Sequence, residues 1–195
     1  LWYAESNGNG TFAAAATFGT VNNVTNSDAA DVDGDGNLDL VAGGGGCKWF
    51  AGAGDGSFDG GTTIAGCGDG EPRFIDMDLD GDEDLLGYDN NNNISWWEND
   101  GHGGFTERSI SDDDLSIKGI AGGDLDLDGD IDVVVGDSTN DTVVWYRRTG
   151  SSWGTRVVLA SLSNPTDLEL TDPDQDGDLD IVVSLWAGGS TNNLY

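Results

Sequence analysis

The chain has 195 residues, enough for one domain with a real core, and sets 37 Asp plus Glu against seven Lys plus Arg, a formal charge of −30. That balance excludes nucleic acid as a partner, since its recognition needs a basic surface, and it disfavours anionic membrane surfaces. No apolar run approaches the ~18 residues of a membrane span, while regular apolar stretches and seven Trp set the chain apart from disordered acidic sequences.

With neither an initiator Met nor a signal peptide, the chain reads as a mature or excised piece. It opens on the aromatic pair Trp2-Tyr3. Asn7-Gly8-Asn9-Gly10 predicts a turn and residues 11–18 a second strand, the pattern of a hairpin. The same succession of aromatic pair, Gly-rich turn and aromatic returns at Trp49-Phe50 to Phe58, Trp96-Trp97 to Phe105 and Trp145-Tyr146 to Trp153. After each hairpin the sequence predicts a strand, over 24–30, 72–75, 118–123 and 165–170, then an acidic loop. A further strand leaves each loop, over 38–42, 85–88, 131–135 and 179–185. Val133-Val134-Val135 suits a strand buried on both faces. No segment shows an amphipathic helical period. The chain stops at Asn192-Asn193-Leu194-Tyr195, where the other units run into their aromatic pair, so the two ends read as complementary parts of one unit.

The acidic loops share one frame, D-x-D-x-D-G-x-x-D, starting at Asp31, Asp76, Asp124 and Asp172, 45, 48 and 48 residues apart. A fixed period of this size marks a repeat architecture. Clustered carboxylates repel one another unless a hard cation supplies the counter-charge, and calcium takes six to eight oxygens at about 2.3–2.6 Å. Candidate ligands are Asp31, Asp33, Asp35, Asn37 and Asp39 in loop 31–39, and Asp76, Asp78, Asp80, Asp82 and Asp84 in loop 76–84. Loop 124–132 offers Asp124, Asp126, Asp128, Asp130 and Asp132, and loop 172–180 offers Asp172, Asp174, Asp176, Asp178 and Asp180. The glycine at position 6 of each frame permits the sharp turn that converges these side chains. The early part of the frame is like an EF-hand loop, but no Glu stands at position 12 and strands, not helices, flank it. A solvated acidic turn is the alternative for a single copy; four copies in register point to about four calcium ions.

This repeat resembles the FG-GAP/VCBS family, the calcium-loop blades of integrin-alpha-like propellers, over essentially the whole chain. Phe18-Gly19 occurs once and Gly-Ala-Pro never, so the VCBS-like variant is the nearer match. The resemblance implies an all-β fold, a β-propeller of four-stranded antiparallel blades with calcium in the hairpin between the first two strands. Residues 1–195 then form one domain of four repeats. They can close as a four-bladed ring with a split terminal blade, pair as half of an eight-bladed ring, or form an arc of a longer propeller.

In a four-stranded meander Cys47 and Cys67 fall at the same end of one blade, which predicts a disulfide over the alternative of two buried thiols, and with it an oxidising compartment. Asn9, Asn23, Asn93 and Asn140 begin N-glycosylation sequons. The expected function is a non-catalytic extracellular module, secreted or on the cell surface, that recognises glycan or protein. Trp186, without a counterpart in the other units, is a candidate ligand contact, whereas the repeated aromatic pairs read as blade packing. The alternatives are a structural subunit of a surface filament or matrix, self-associating through the split blade, and a polysaccharide lyase or hydrolase. For the enzyme, the sole histidine, His102, sits in a turn, and Arg147-Arg148 offer contacts to an acidic sugar but read as solvated strand-end residues.

Overall fold

The computed structural model describes residues 1–68, 70–113, 115–186 and 193–194, and among these every regular element is a strand. The first blade is β3 (Asn26–Ala30), β4 (Asp39–Gly43), β5 (Cys47–Phe50) and β6 (Thr62–Ile64), paired antiparallel in sequence order. The second is β7 (Arg73–Ile75), β8 (Asp84–Tyr88), β9 (Ile94–Asn99) and β10 (Phe105–Ser111). The third takes β11 (Ile117–Gly123), β12 (Asp132–Asp137), β13 (Thr142–Tyr146) and β16 (Val157–Ser161). A three-stranded sheet of β17 (Pro165–Thr171), β18 (Asp180–Leu185) and β19 (Asn193–Leu194) follows. Asn192 and Tyr195 of the expected last strand lie outside the described residues.

The first strand of each sheet is innermost. Asp28, Arg73, Ile120 and Glu169, from β3, β7, β11 and β17, line one central cavity of about 270 Å³. The core is split into layers between blades, because successive residues of a strand point to opposite faces. Leu85 and Trp97 pack with Val41, Cys47, Ile64 and Cys67 of the first blade. Their neighbours Leu86 and Trp96 join Val133, Val135, Val144 and Tyr146 of the third. Val134 and Val143 turn the other way, onto Leu168 and Val183. The aromatic pairs of the three blades are therefore packing residues, as the sequence predicts, whereas Trp2 of the first pair is 67% exposed.

Two expectations change. The predicted strand over 11–18 shrinks to β2 (Ala16–Thr17), paired with β1 (Trp2–Tyr3), plus an isolated bridge between Ser6 and Phe12. Its middle, Ala13-Ala14-Ala15, offers only methyl groups with which to pack a pleated surface. In the third blade Trp153 belongs to a small hairpin, β14 (Arg148–Thr149) with β15 (Ser152–Trp153), and the fourth strand forms later, at the β-branched Val157-Val158. The two ends are not joined by any strand ladder among the described residues. Instead the first hairpin lies on the first blade, where Phe18 meets Phe50 and Phe58 at ring-centroid distances of 5.6 and 4.5 Å and Tyr3 meets Phe58 at 6.0 Å.

Candidate functional site

Each aspartate frame fills the connection between the first two strands of its sheet. The first residue accepts the backbone N–H of the frame glycine: Gly36 to Asp31 at 2.9 Å, Gly81 to Asp76 at 3.0 Å, Gly129 to Asp124 at 3.0 Å and Gly177 to Asp172 at 3.1 Å. The fifth residue accepts from the seventh at 2.8–3.2 Å in every copy. Those glycines have φ between 87° and 100°, the left-handed turn for which glycine is suited. A second left-handed residue, not foreseen from the sequence, stands at position 4, as Gly34, Leu79, Leu127 and Gln175 with φ of 71°, 63°, 59° and 62°. Two left-handed residues fold each frame tightly enough to bring three carboxylates together, with oxygens within 4.8 Å of one another. The groups are Asp31, Asp33 and Asp39; Asp76, Asp78 and Asp84; Asp124, Asp126 and Asp128; and Asp172, Asp174 and Asp176.

Position 9 has a second role. Asp39, Asp84 and Asp132 are buried, and each clamps two strand connections. One oxygen accepts the N–H of position 2, from Val32, Met77 or Leu125. The other accepts an N–H at or just past the end of the third strand, from Gly52, Asn99 or Arg148, at 2.7–2.8 Å. Among the described residues loop 172–180 lacks the clamp. Its position 2 is Pro173, which has no N–H to donate, and Asp180 is exposed.

The residues fit a hard divalent ion. Asp31 Oδ1 and Asp126 Oδ1 are buried inside their loops with no hydrogen-bond partner, a costly state that a cation would relieve. Burial, then the charges of Asp39 and Asp35, pushes the Asp33 carboxyl up; burial and then Asp80 do the same to Asp78. Asp84 is pushed up to about 7, by burial against the opposing N–H groups of Asn99 and Met77. Asp178 rises through its contact with Asp176. Asp128 goes the other way, held low by the Asp130 N–H and then by the Arg147 guanidinium.

From the sequence Arg147 and Arg148 read as solvated strand-end residues, whereas the structure gives each a set of partners. Arg147 is bound into loop 124–132, with Nε 2.5 Å from Asp126 Oδ2 and Nη2 2.9 Å from Asp128 Oδ2. Arg148 turns to the opposite side. Its guanidinium lies 5.5 Å from the ring centroid of Trp96 and 5.7 Å from that of Trp153, donating to the carbonyls of Gly150 and Met77. It forms one wall of a cleft of about 390 Å³ between the second and third blades, lined also by Asp78, Glu98, Arg108, Ser109, Ser151 and Trp153. Arg108 Nε is 2.6 Å from Glu98 Oε2 at its rim. The only sequence signal was register: both arginines directly follow an aromatic pair, as Glu98 and Asn99 do.

Trp186 is 61% exposed and is not among the cleft residues. Cys47 and Cys67 are bonded to each other, buried, with Cα atoms 5.4 Å apart. Asn9 and Asn23 are exposed, whereas Asn93 and Asn140 donate their side-chain amides to Asp89 and Asp137. His102 is exposed in its turn, its N–H on Asp100.

The FG-GAP-like repeat model matches residues 1–42, 76–135 and 124–183, and the chain belongs to this family. No curated protein matches the sequence. Among solved structures, a lectin of Agrocybe aegerita described as specifically recognising non-reducing terminal N-acetylglucosamine is similar, with a TM-score of 0.58 at 21% identity. The match covers 82% of this chain and 46% of that one, so the chain spans about half the lectin's length. That likeness concerns the fold, and the radial sheets described above are blades of a β-propeller.

Proposed function

We propose that the chain is a calcium-bearing, non-catalytic binding module of the extracellular space that recognises glycan in the cleft between its second and third blades. The observation that carries this reading is the cleft itself. A half-buried indole (Trp153) provides an apolar wall for a sugar ring, and Arg108, Glu98, Ser109 and Ser151 surround it with donors and acceptors for hydroxyls. Arg148, fixed between two indoles and two carbonyls, holds the wall in place before a ligand arrives, which reduces the ordering cost of binding. Asp78 joins the cleft to a metal loop, so an ion there would fix part of its floor. The lectin's recognition of terminal N-acetylglucosamine supports the ligand class. The bonded Cys47 and Cys67 support an oxidising compartment.

A glycan array followed by calorimetry, with wild type and Trp153→Ala, tests the reading. Binding should fall at least tenfold in the variant while its unfolding remains cooperative. A folded, calcium-loaded wild type that binds no glycan would overturn it.

One observation favours a second reading, self-assembly. β16 is the outermost strand of the third blade, and Val157, Val158 and Leu159 are exposed along it, the kind of edge that adds a further strand. A concentration-dependent mass that disappears in Val158→Lys would select this reading.

A further inference from the structure

We propose that Arg147 is a built-in competitor for the third aspartate loop, making that loop a weaker divalent-cation site than the first two, so that the chain fills in steps. The inference rests on the metal reading of the loops. Its basis is a comparison of equivalent positions. The N–H groups of Gly52, Asn99 and Arg148 all donate to the position 9 aspartate of their own blade, which puts the three blades in register. The preceding residues, Ala51, Glu98 and Arg147, are therefore equivalent. The first brings no charge to its loop. The second brings a carboxylate that lines the same cleft as Asp78 of its loop. The third brings a cation, and its guanidinium occupies one oxygen each of Asp126 and Asp128.

Those two aspartates stand at positions 3 and 5 of the frame and, with Asp124, make up the carboxylate group of that loop. An incoming ion must displace the guanidinium or bind beside it. A unit charge and a divalent ion about 6 Å apart, even in a water-like dielectric, repel enough to weaken binding roughly tenfold. Arg147 does not complete the site, since Asp126 Oδ1 remains buried and unpartnered. The loop is thus held in a folded shape by an internal cation without being saturated. That arrangement suits a site which empties at calcium levels where its neighbours stay filled.

Calorimetric titration with calcium is the test, on wild type, Arg147→Ala and Arg147→Gln, with the transplant Ala51→Arg. In wild type the sites should divide into tighter and weaker classes. Either substitution at Arg147 should tighten one weak site about tenfold, and adding Asp126→Asn should abolish the tightened step. Ala51→Arg should weaken one tight site. Identical stepwise constants in wild type and both Arg147 variants would overturn the proposal with the metal reading intact. No calcium binding by any variant would overturn both.

Discussion

Asn99, at the end of β9 in the second blade, donates its side-chain amide to the carbonyl of Val32, in the aspartate loop of the first blade, at 2.8 Å. Arg148 repeats this contact one blade on, donating to the carbonyl of Met77 in the loop of the second. Val32 and Met77 both occupy position 2, whose N–H is already held by the position 9 aspartate of the same loop. One peptide segment of each of these two loops is therefore fixed from its own blade and from the next. In the first blade the equivalent residue is Gly52, which has no side chain to reach backward.

Asn99→Leu should destabilise the calcium-loaded protein by about 2–3 kcal/mol, because it leaves buried carbonyls without a donor. Asn99 also donates to Glu83 and accepts from Gly103. Urea unfolding measures the loss, and a change below about 0.5 kcal/mol, the range of ordinary surface substitutions, would refute the contact's importance.

The position 9 aspartates should not be equal. Asp84→Ala removes the acceptor of two buried N–H groups and should cost about 2–4 kcal/mol even with chelator present. Asp180→Ala, at an exposed residue of the loop whose position 2 is Pro173, should change chelated stability by less than about 0.5 kcal/mol. Thermal melts of both variants in chelator make the comparison directly.

Removal of calcium should lower the melting temperature steeply. With free ion tenfold above Kd each loop adds about 1.4 kcal/mol, and four such loops reach roughly 5–6 kcal/mol, against the ~5–15 kcal/mol of a typical domain. Equal melting temperatures with and without chelator would exclude a structural role for the metal.

Acid sensitivity should depend in part on Asp137. Burial raises its carboxyl, but hydrogen bonds from Asn140, Ser116 and Thr139 outweigh that and hold it below the usual range. A depressed folded value means that its contribution is present above the unfolded value of about 3.9 and is lost as pH falls through the folded value. Asp137→Asn should therefore be less stable than wild type at pH 7 and approach it below about pH 3, as read from denaturant midpoints across that range.

Trp97→Ala should cost about 3–5 kcal/mol, because the indole is fully buried between blades and donates to the Ala65 carbonyl at 2.9 Å. Trp186→Ala should leave stability within about 0.5 kcal/mol, its ring being mostly exposed. Parallel unfolding curves of the two variants separate packing indoles from free ones.

The aspartate frames and the strands around them are legible in the sequence because charge density, glycine position and apolar runs are local signals that recur. What escaped were relations made only by register. Arg147 lies 19 residues from Asp128, and nothing in its immediate neighbours marks it as a loop cation. Pro173 was readable in principle, since a proline at position 2 cannot donate to position 9, but that clamp is seen only once Asp39 and Asp84 are placed. The small hairpin at Trp153 was hidden because an aromatic after a glycine turn has the same appearance in a short excursion as in a full strand.

Because adjacent residues of one strand look toward different blades, odd and even positions act as separate addresses. Leu85 speaks only to the blade before and Leu86 only to the blade after. The molecule is thus a series of joints, with no single keystone. A substitution at Leu85 loosens one joint and leaves the next one tight, so damage should pass along the chain one hinge at a time.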